Sequence, residues 1–330
     1  MSVTFLSSKR IAGLFLASTA LLAMSSAAMA KDWPNDHPIT MVVGYPPGGG
    51  YDAVGRLVAQ FLGKELNQNI VVENKSGASG VIGAGSVARA QPDGYTLFLA
   101  SPAEIVVNRA AGQKLPYDPD KDLTPVALVG DIPAVIVSNP ALGVNTVAQL
   151  VAHGKTSDLS YGTPGAGGPS HFAGESINAA AGINMLHVPF RGSAPAISAV
   201  VGGQVSLGIF GISAALPLIE SGKLRPIAIA SKTRSELAPD IPALSESPGY
   251  EDVLFTNWIA IYLPAHVDAS TRQRLVAALR KVTSDPAYKE KLTAMAIEAK
   301  FMAGDELQAF LKEENARYTE IAQKRQIKMQ

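Results

Sequence analysis

The residues best placed to do chemistry in this chain are glycines. Three loops stand out: Tyr45-Pro46-Pro47-Gly48-Gly49-Gly50-Tyr51-Asp52, Ser101-Pro102-Ala103-Glu104 and Thr163-Pro164-Gly165-Ala166-Gly167-Gly168-Pro169-Ser170-His171. Each follows an apolar run and precedes a stretch of helical periodicity. A helix start exposes unpaired backbone N–H groups and the positive end of the helix dipole. Glycine lets an anion approach that backbone closely. Pro102 and Pro169 suit the first position of a helix, where no N–H is needed. One such loop alone reads first as a tight turn, because glycine is the default turn residue. Three in equivalent positions point to a cradle that grips a small anion.

Sharper chemistries fail on spacing. Gly154-Lys155-Thr156 has the end of a phosphate loop, but Gln149 stands where its first glycine belongs. Gly83-Ala84-Gly85-Ser86-Val87-Ala88 fits a dinucleotide pattern, yet it lies within an Ala/Gly-rich helix, where small residues serve close packing. No Gly-x-Ser-x-Gly elbow occurs. Ser170 and His171 are adjacent, so on a helix start they diverge and do not pair as nucleophile and base. The five histidines lack metal-ligand spacing, and there is no cysteine. His187, inside an apolar strand, reads as a satisfied core residue. His171 fits helix capping as well as ligand contact. Arg191, just after that strand, suits either a carboxylate contact or solvent. Trp258 reads as hinge or core packing.

The elements that position these loops alternate. Strands are expected at Ile39–Val43, Asn69–Glu73 and Tyr95–Ala100, with helices between and after them. Strand–helix alternation implies parallel βαβ units in a layered sheet. Two apolar runs within Thr124–Ser138, split by Gly130-Asp131-Ile132-Pro133, read as a crossing between lobes. Thr146 and Gln149 then form a capping box. The alternation restarts through strands at 159–161, 185–189, 205–210 and 225–230. Ser231–Asp252 reads as a surface connection, Asn257–Leu263 as a strand returning to the first lobe, and two amphipathic helices finish the chain.

Composition bounds the rest. Lys9-Arg10, the short apolar run Ile11–Ala23 and Ala28-Met29-Ala30 form a secretory signal with cleavage expected before Lys31. The run is too short to span a bilayer core, which needs roughly 20 residues. Removing Lys9 and Arg10 from 28 basic residues leaves 26 against 28 acidic ones, a balance that favours neither nucleic acid nor an anionic membrane. Without a cysteine there is no lipid anchor, disulfide or thiolate site. The expected mature chain is long enough for two cores, and 47% hydrophobic content can fill both.

The loop Tyr45–Asp52 resembles the first ligand loop of the substrate-binding proteins of tripartite tricarboxylate transporters, the Bug family. Further matching segments are Val72–Gly80, Pro92–Leu97, Tyr161–Gly165, His187–Gly192, Gly202–Val205 and Gly222–Pro226, in order along the mature chain. The resemblance implies a periplasmic Venus-flytrap protein of two α/β lobes, type II-like, with a ligand cleft between them. Lobe 1 would comprise residues 31–132 plus 254–330 and lobe 2 residues 133–253. Carried over by position, lobe 1 contributes Pro47, Gly48, Gly49, Asp52, Ser101 and Ala103 to the ligand. Lobe 2 contributes Thr163, Gly165, Gly167, Ser170, His171 and Arg191. Many members carry an acidic residue after the strand at 205–210; this chain has Gly211-Ile212-Ser213 there.

The resulting expectation is a monomer that captures a small carboxylate for a tripartite tricarboxylate-type membrane transporter. The acid would be a di- or tricarboxylate, an acidic amino acid or an aromatic acid. No cofactor, metal, nucleic acid or membrane insertion is expected. The alternatives are a ligand sensor that presents its closed form to a signalling receptor, and a secreted hydrolase, for which the sequence supplies no nucleophile–base pair.

Overall fold

The computed structural model describes residues 33–327; the expected signal segment lies outside them. Strands β1 (Ile39–Val43), β2 (Ile70–Asn74), β3 (Thr96–Ala100), β4 (Leu123–Gly130), β10 (Ile259–Pro264) and β11 (Met302–Ala303) form a six-stranded sheet in the order β11-β4-β10-β3-β1-β2. Strands β5 (Ala134–Ser138), β6 (Ser160–Thr163), β7 (Leu186–Pro189), β8 (Leu207–Gly211) and β9 (Arg225–Ile229) form a second sheet, ordered β7-β6-β8-β5-β9. In each sheet three strands run parallel and the strands next to them run antiparallel.

Side-chain alternation explains why β1 is apolar on both faces apart from half-buried Thr40. Ile39, Met41 and Val43 face a core shared with Leu97, Leu99, Leu275 and Leu279, while Val42 faces a second core with Phe98 and Ala100. A parallel strand covered on both faces reads as a continuous apolar run. The edge strand β2 instead alternates half-buried and exposed positions. Helices α1 (Gly50–Leu66), α2 (Val81–Ala88) and α3 (Asn108–Ala110) follow the first three strands, as the alternation predicts. α4 (Val147–Gly154) starts on the expected cap: the Gln149 N–H donates to Thr146 Oγ1 at 3.2 Å. α5 (Pro169–Ala181), α6 (Ser193–Val201) and α7 (Ile212–Glu220) follow β6, β7 and β8.

The chain passes between the sheets at residues 131–133 and returns before β10. Pro133 bridges Thr256, so the two passages lie side by side, and Asp131 bridges Glu298 of the segment that leads into β11. Three helices close the chain where two are expected: α8 (Ala269–Ser284), α9 (Pro286–Ala294) and α10 (Gly304–Arg325). α9 has a local signal, because Asp285 caps it through the Ala287 N–H and Pro286 occupies its first turn. α10 joins the two halves. Its Tyr318 packs edge-on against Phe172 of α5 at 4.9 Å and against Phe255 at 5.3 Å. Arg325 Nε donates to Glu175 Oε2 at 2.6 Å. Burying each phenylalanine stabilises this junction by about 2 kcal/mol. Trp258 is core, as one of its two expected roles had it, and its Nε1 donates to Glu314. Residues 231–252 are more than a surface connection, since Ile241, Leu244 and Tyr250 are buried.

Candidate ligand-binding cleft

A cavity of about 400 Å³ opens where the two halves meet. Ligand pockets span roughly 300–1,000 Å³, so it suits a small molecule. The first half contributes Tyr45, Tyr51, Ser79, Ala103, Val107 and Asn108. The second contributes the loop from Pro164 to Ser170, with Ser193, Gly211, Ser213 and Ala214; Ile132 and Asn257 belong to the passages between the sheets. None of these residues is charged. Instead, helix starts converge. Gly168 and Pro169 open α5, Ser193 opens α6, Gly211 caps α7, and Ala103 begins the segment leading into α3. That last segment, Ala103–Val107, is a single π turn and not the expected α-helix, a geometry common at functional sites.

Four expected ligand residues line this cavity: Ala103, Gly165, Gly167 and Ser170. The remaining eight do not. Pro47, Gly48 and Gly49 lie on an exposed loop, and Asp52 is what holds that loop in shape. Its Oδ2 accepts from the Gly48 N–H at 2.9 Å and from Arg56 Nε at 3.0 Å, while its Oδ1 accepts from Asn74 at 2.9 Å. Led by the Arg56 bond, these contacts lower the carboxyl pKa to about 2. Thr163 and His171 sit behind the second loop. Thr163 Oγ1 donates to the Gly165 carbonyl and meets His187 Nε2 at 2.7 Å. His171 Nδ1 accepts from the Gly167 N–H at 3.1 Å, and its ring stacks on His187 at 3.7 Å. His187 is thus a satisfied structural residue, as its strand position implied. Arg191 is exposed and lines no part of the cavity.

Ser101 is one layer down. Its hydroxyl meets Tyr45 Oη at 2.9 Å and donates to Glu104 Oε2 at 2.5 Å, and Glu104 also accepts from the Ser101 N–H. Tyr45 stacks on Tyr51 at 4.6 Å, so this buried network supports one wall of the cavity. Sequence reasoning missed Tyr45 and Tyr51 as wall residues, although both stand within the first glycine loop. It also missed Asn108, whose buried Oδ1 has no partner, and Asn257, Ser193 and Ser213. Their signal was positional only: each lies at or near a strand end or helix start.

Burial raises the Glu104 carboxyl to a pKa of about 7. A raised carboxyl pKa favours the folded state at low pH, and that contribution is lost as pH climbs from about 4.5 to about 7. Glu104→Gln removes the titration. The variant is therefore expected to gain on the parent protein by about 2 kcal/mol between pH 5 and pH 8. His187, lowered by burial to about 4, acts in the opposite sense below pH 6.5. Only the difference between the two proteins, measured by urea unfolding across pH, isolates Glu104. A pH-independent difference would contradict the assignment.

Together, the paired sheets and the cleft between them have the two-lobe architecture of the periplasmic-binding-protein fold. Residues 54–327 match the tripartite tricarboxylate transporter family receptor, and the chain belongs to that family. It is 35% identical to a UPF0065 protein of Bordetella bronchiseptica, over 96% of this chain and 94% of the relative. Protein BugT of Bordetella pertussis is 32% identical over 97% of each chain. Among solved structures, Rpa4515 of R. palustris with adipate is 29% identical, with a TM-score of 0.75 over 90% of this chain and 99% of the other. MatC of Rhodopseudomonas palustris with bound malate is 28% identical, with a TM-score of 0.69 over 87% and 99%. The chain is accordingly a binding protein and not an enzyme.

Proposed function

We propose that this protein captures a small carboxylate in the cleft and delivers it to a membrane transporter of the tripartite tricarboxylate type. The carrying observation is the convergence of helix starts on a cavity lined by no charged side chain. The aligned helix dipoles favour an anion there, while the Gly167 and Ala103 N–H groups are held by His171 and Ser101. An uncharged wall suits a carboxylate that must also be released. Gly165, Gly167, Ser170 and Ala103 contact the ligand in this reading, and Asp52, Ser101, Thr163 and His171 hold the loops from behind. Structural relatives with adipate and with malate support the ligand class. The protein acts as a periplasmic monomer after cleavage behind Ala30. Its lobes are 31–132 with 254–330, and 133–253, and no helix among the described residues is long and apolar enough to cross a membrane.

A thermal-shift plate tests the ligand class. Di- and tricarboxylates, acidic amino acids and aromatic acids are set against sugars, polyamines and nucleotides. A ligand at 100 times its Kd stabilises the fold by about 2.7 kcal/mol. At roughly 2–4 °C per kcal/mol, a hit raises Tm by several degrees. A shift confined to sugars or polyamines, confirmed by calorimetry, would sink the carboxylate assignment.

A further inference from the structure

A second cavity, of about 460 Å³, lies across the Ala103–Ala110 segment from the cleft. Ala103 and Val107, one turn apart, line the cleft, while Ile105 and Arg109, also one turn apart, line this cavity. Tyr262 of β10 and Leu311, Lys312 and Asn315 of α10 complete much of its wall. Two of its residues carry buried polar atoms with no hydrogen-bond partner: the Tyr262 hydroxyl and Arg109 Nε. Tyr262 is only 1% exposed, so bulk water does not satisfy it. A buried donor left without a partner destabilises the fold, and two around one cavity call for an acceptor.

The chemistry of the wall narrows that acceptor. Arg109 Nε–H only donates, and the tyrosine hydroxyl is free to donate. The other Arg109 nitrogens donate to Asp120 at 2.6 and 3.3 Å. Exposed Lys312 leaves the cavity with one positive charge in excess, since Asp120 offsets Arg109. Ile105, Leu123, Leu311 and Pro125 supply apolar surface. We propose that this cavity is a second small-molecule site, taking a carboxylate with a short apolar body. Its oxygens accept from Tyr262 and Arg109, its charge faces Lys312, and its chain lies on the apolar residues. This site uses charged side chains where the cleft uses helix starts, so it stands independently of the function proposed for the cleft.

Hexanoate is the probe, used with the full mature chain. Crystals soaked in hexanoate are expected to show its carboxylate within hydrogen-bond distance of both orphan atoms. In calorimetry, hexanoate should still bind when the cleft is blocked by Gly165→Leu. Adding Tyr262→Phe to that protein should weaken binding about fivefold, the worth of one hydrogen bond. Lys312→Ala, an exposed change that leaves the fold intact, should weaken it about threefold and make it less sensitive to salt. Neither change should alter the affinity of the cleft for its own ligand. Density for ordered water alone at the two atoms would overturn the proposal. So would hexanoate binding unmoved by either substitution.

Discussion

Gly165→Leu is expected to lower the affinity of the cleft for its ligand about a hundredfold, near 2.8 kcal/mol, while leaving Tm almost unchanged. Gly165 lines the cleft, and a Cβ placed on it meets nothing within 4 Å. Its backbone is outside the left-handed region, so a side chain adds no strain. The leucine therefore extends into the space the ligand needs, without asking the protein to move. Gly167 is the poorer test. Its φ of 70° favours glycine, and its N–H is held by His171, so a substitution there mixes strain with blockage. Gly165→Ala is the control and should cost little. Isothermal titration with the strongest thermal-shift hit measures all three proteins. Affinity of the leucine variant within threefold of the parent would show that the ligand sits elsewhere.

A larger change in stability is expected from Gly80→Ala. Gly80 has φ 85°, and a Cβ there would lie 1.9 Å from Glu104 Oε1 and 2.6 Å from its Cδ. The carboxylate has no room to retreat, because Glu104 is fully buried and its other oxygen is held by Ser101. Left-handed strain costs alanine about 1 kcal/mol, and overpacking adds about 1–3 kcal/mol. The expected loss is about 3 kcal/mol, or roughly 6–12 °C in Tm. Removing the clash partner separates the two causes. In a Glu104→Ala background the same substitution should cost at least about 1 kcal/mol less, because contacting sites do not add. Equal costs in both backgrounds would show that Glu104 does not set the penalty for a side chain at Gly80. Since Ser101 and Tyr45 rest on the same network, ligand affinity should fall with stability.

Much of the fold was legible because its determinants are local. The apolar run Ile39–Val43 is β1 to the residue, and the breaks at Gly130–Pro133 mark where the chain changes sheets. The Thr146 cap is a short-range hydrogen bond, and the Pro169 helix start is a local preference of proline, whose fixed φ and missing N–H suit the first turn. α9 is equally local, since Asp285 and Pro286 announce it, but the two expected C-terminal helices leave it out. The two-residue strand β11 exists only because β4 is there to pair with it.

By itself, then, the sequence determined the alternating elements, the crossing and the glycine loops at helix starts. Each follows from periodicity or from conformations that only a few residues adopt. Tertiary structure decided which face of each loop meets the cleft. Asp52 carries ligand-binding chemistry, but Arg56, Asn74 and the Gly48 N–H, reached across a helix turn and an adjacent strand, claim its oxygens. His171 likewise turns to the Gly167 N–H and the His187 ring. Tyr45 and Tyr51 become a wall through stacking, and Ala103 and Arg109 part to opposite cavities through one helical segment. Residue type states what a group is able to bond. Which partner it reaches depends on packing between segments far apart in the chain, and no local pattern encodes that.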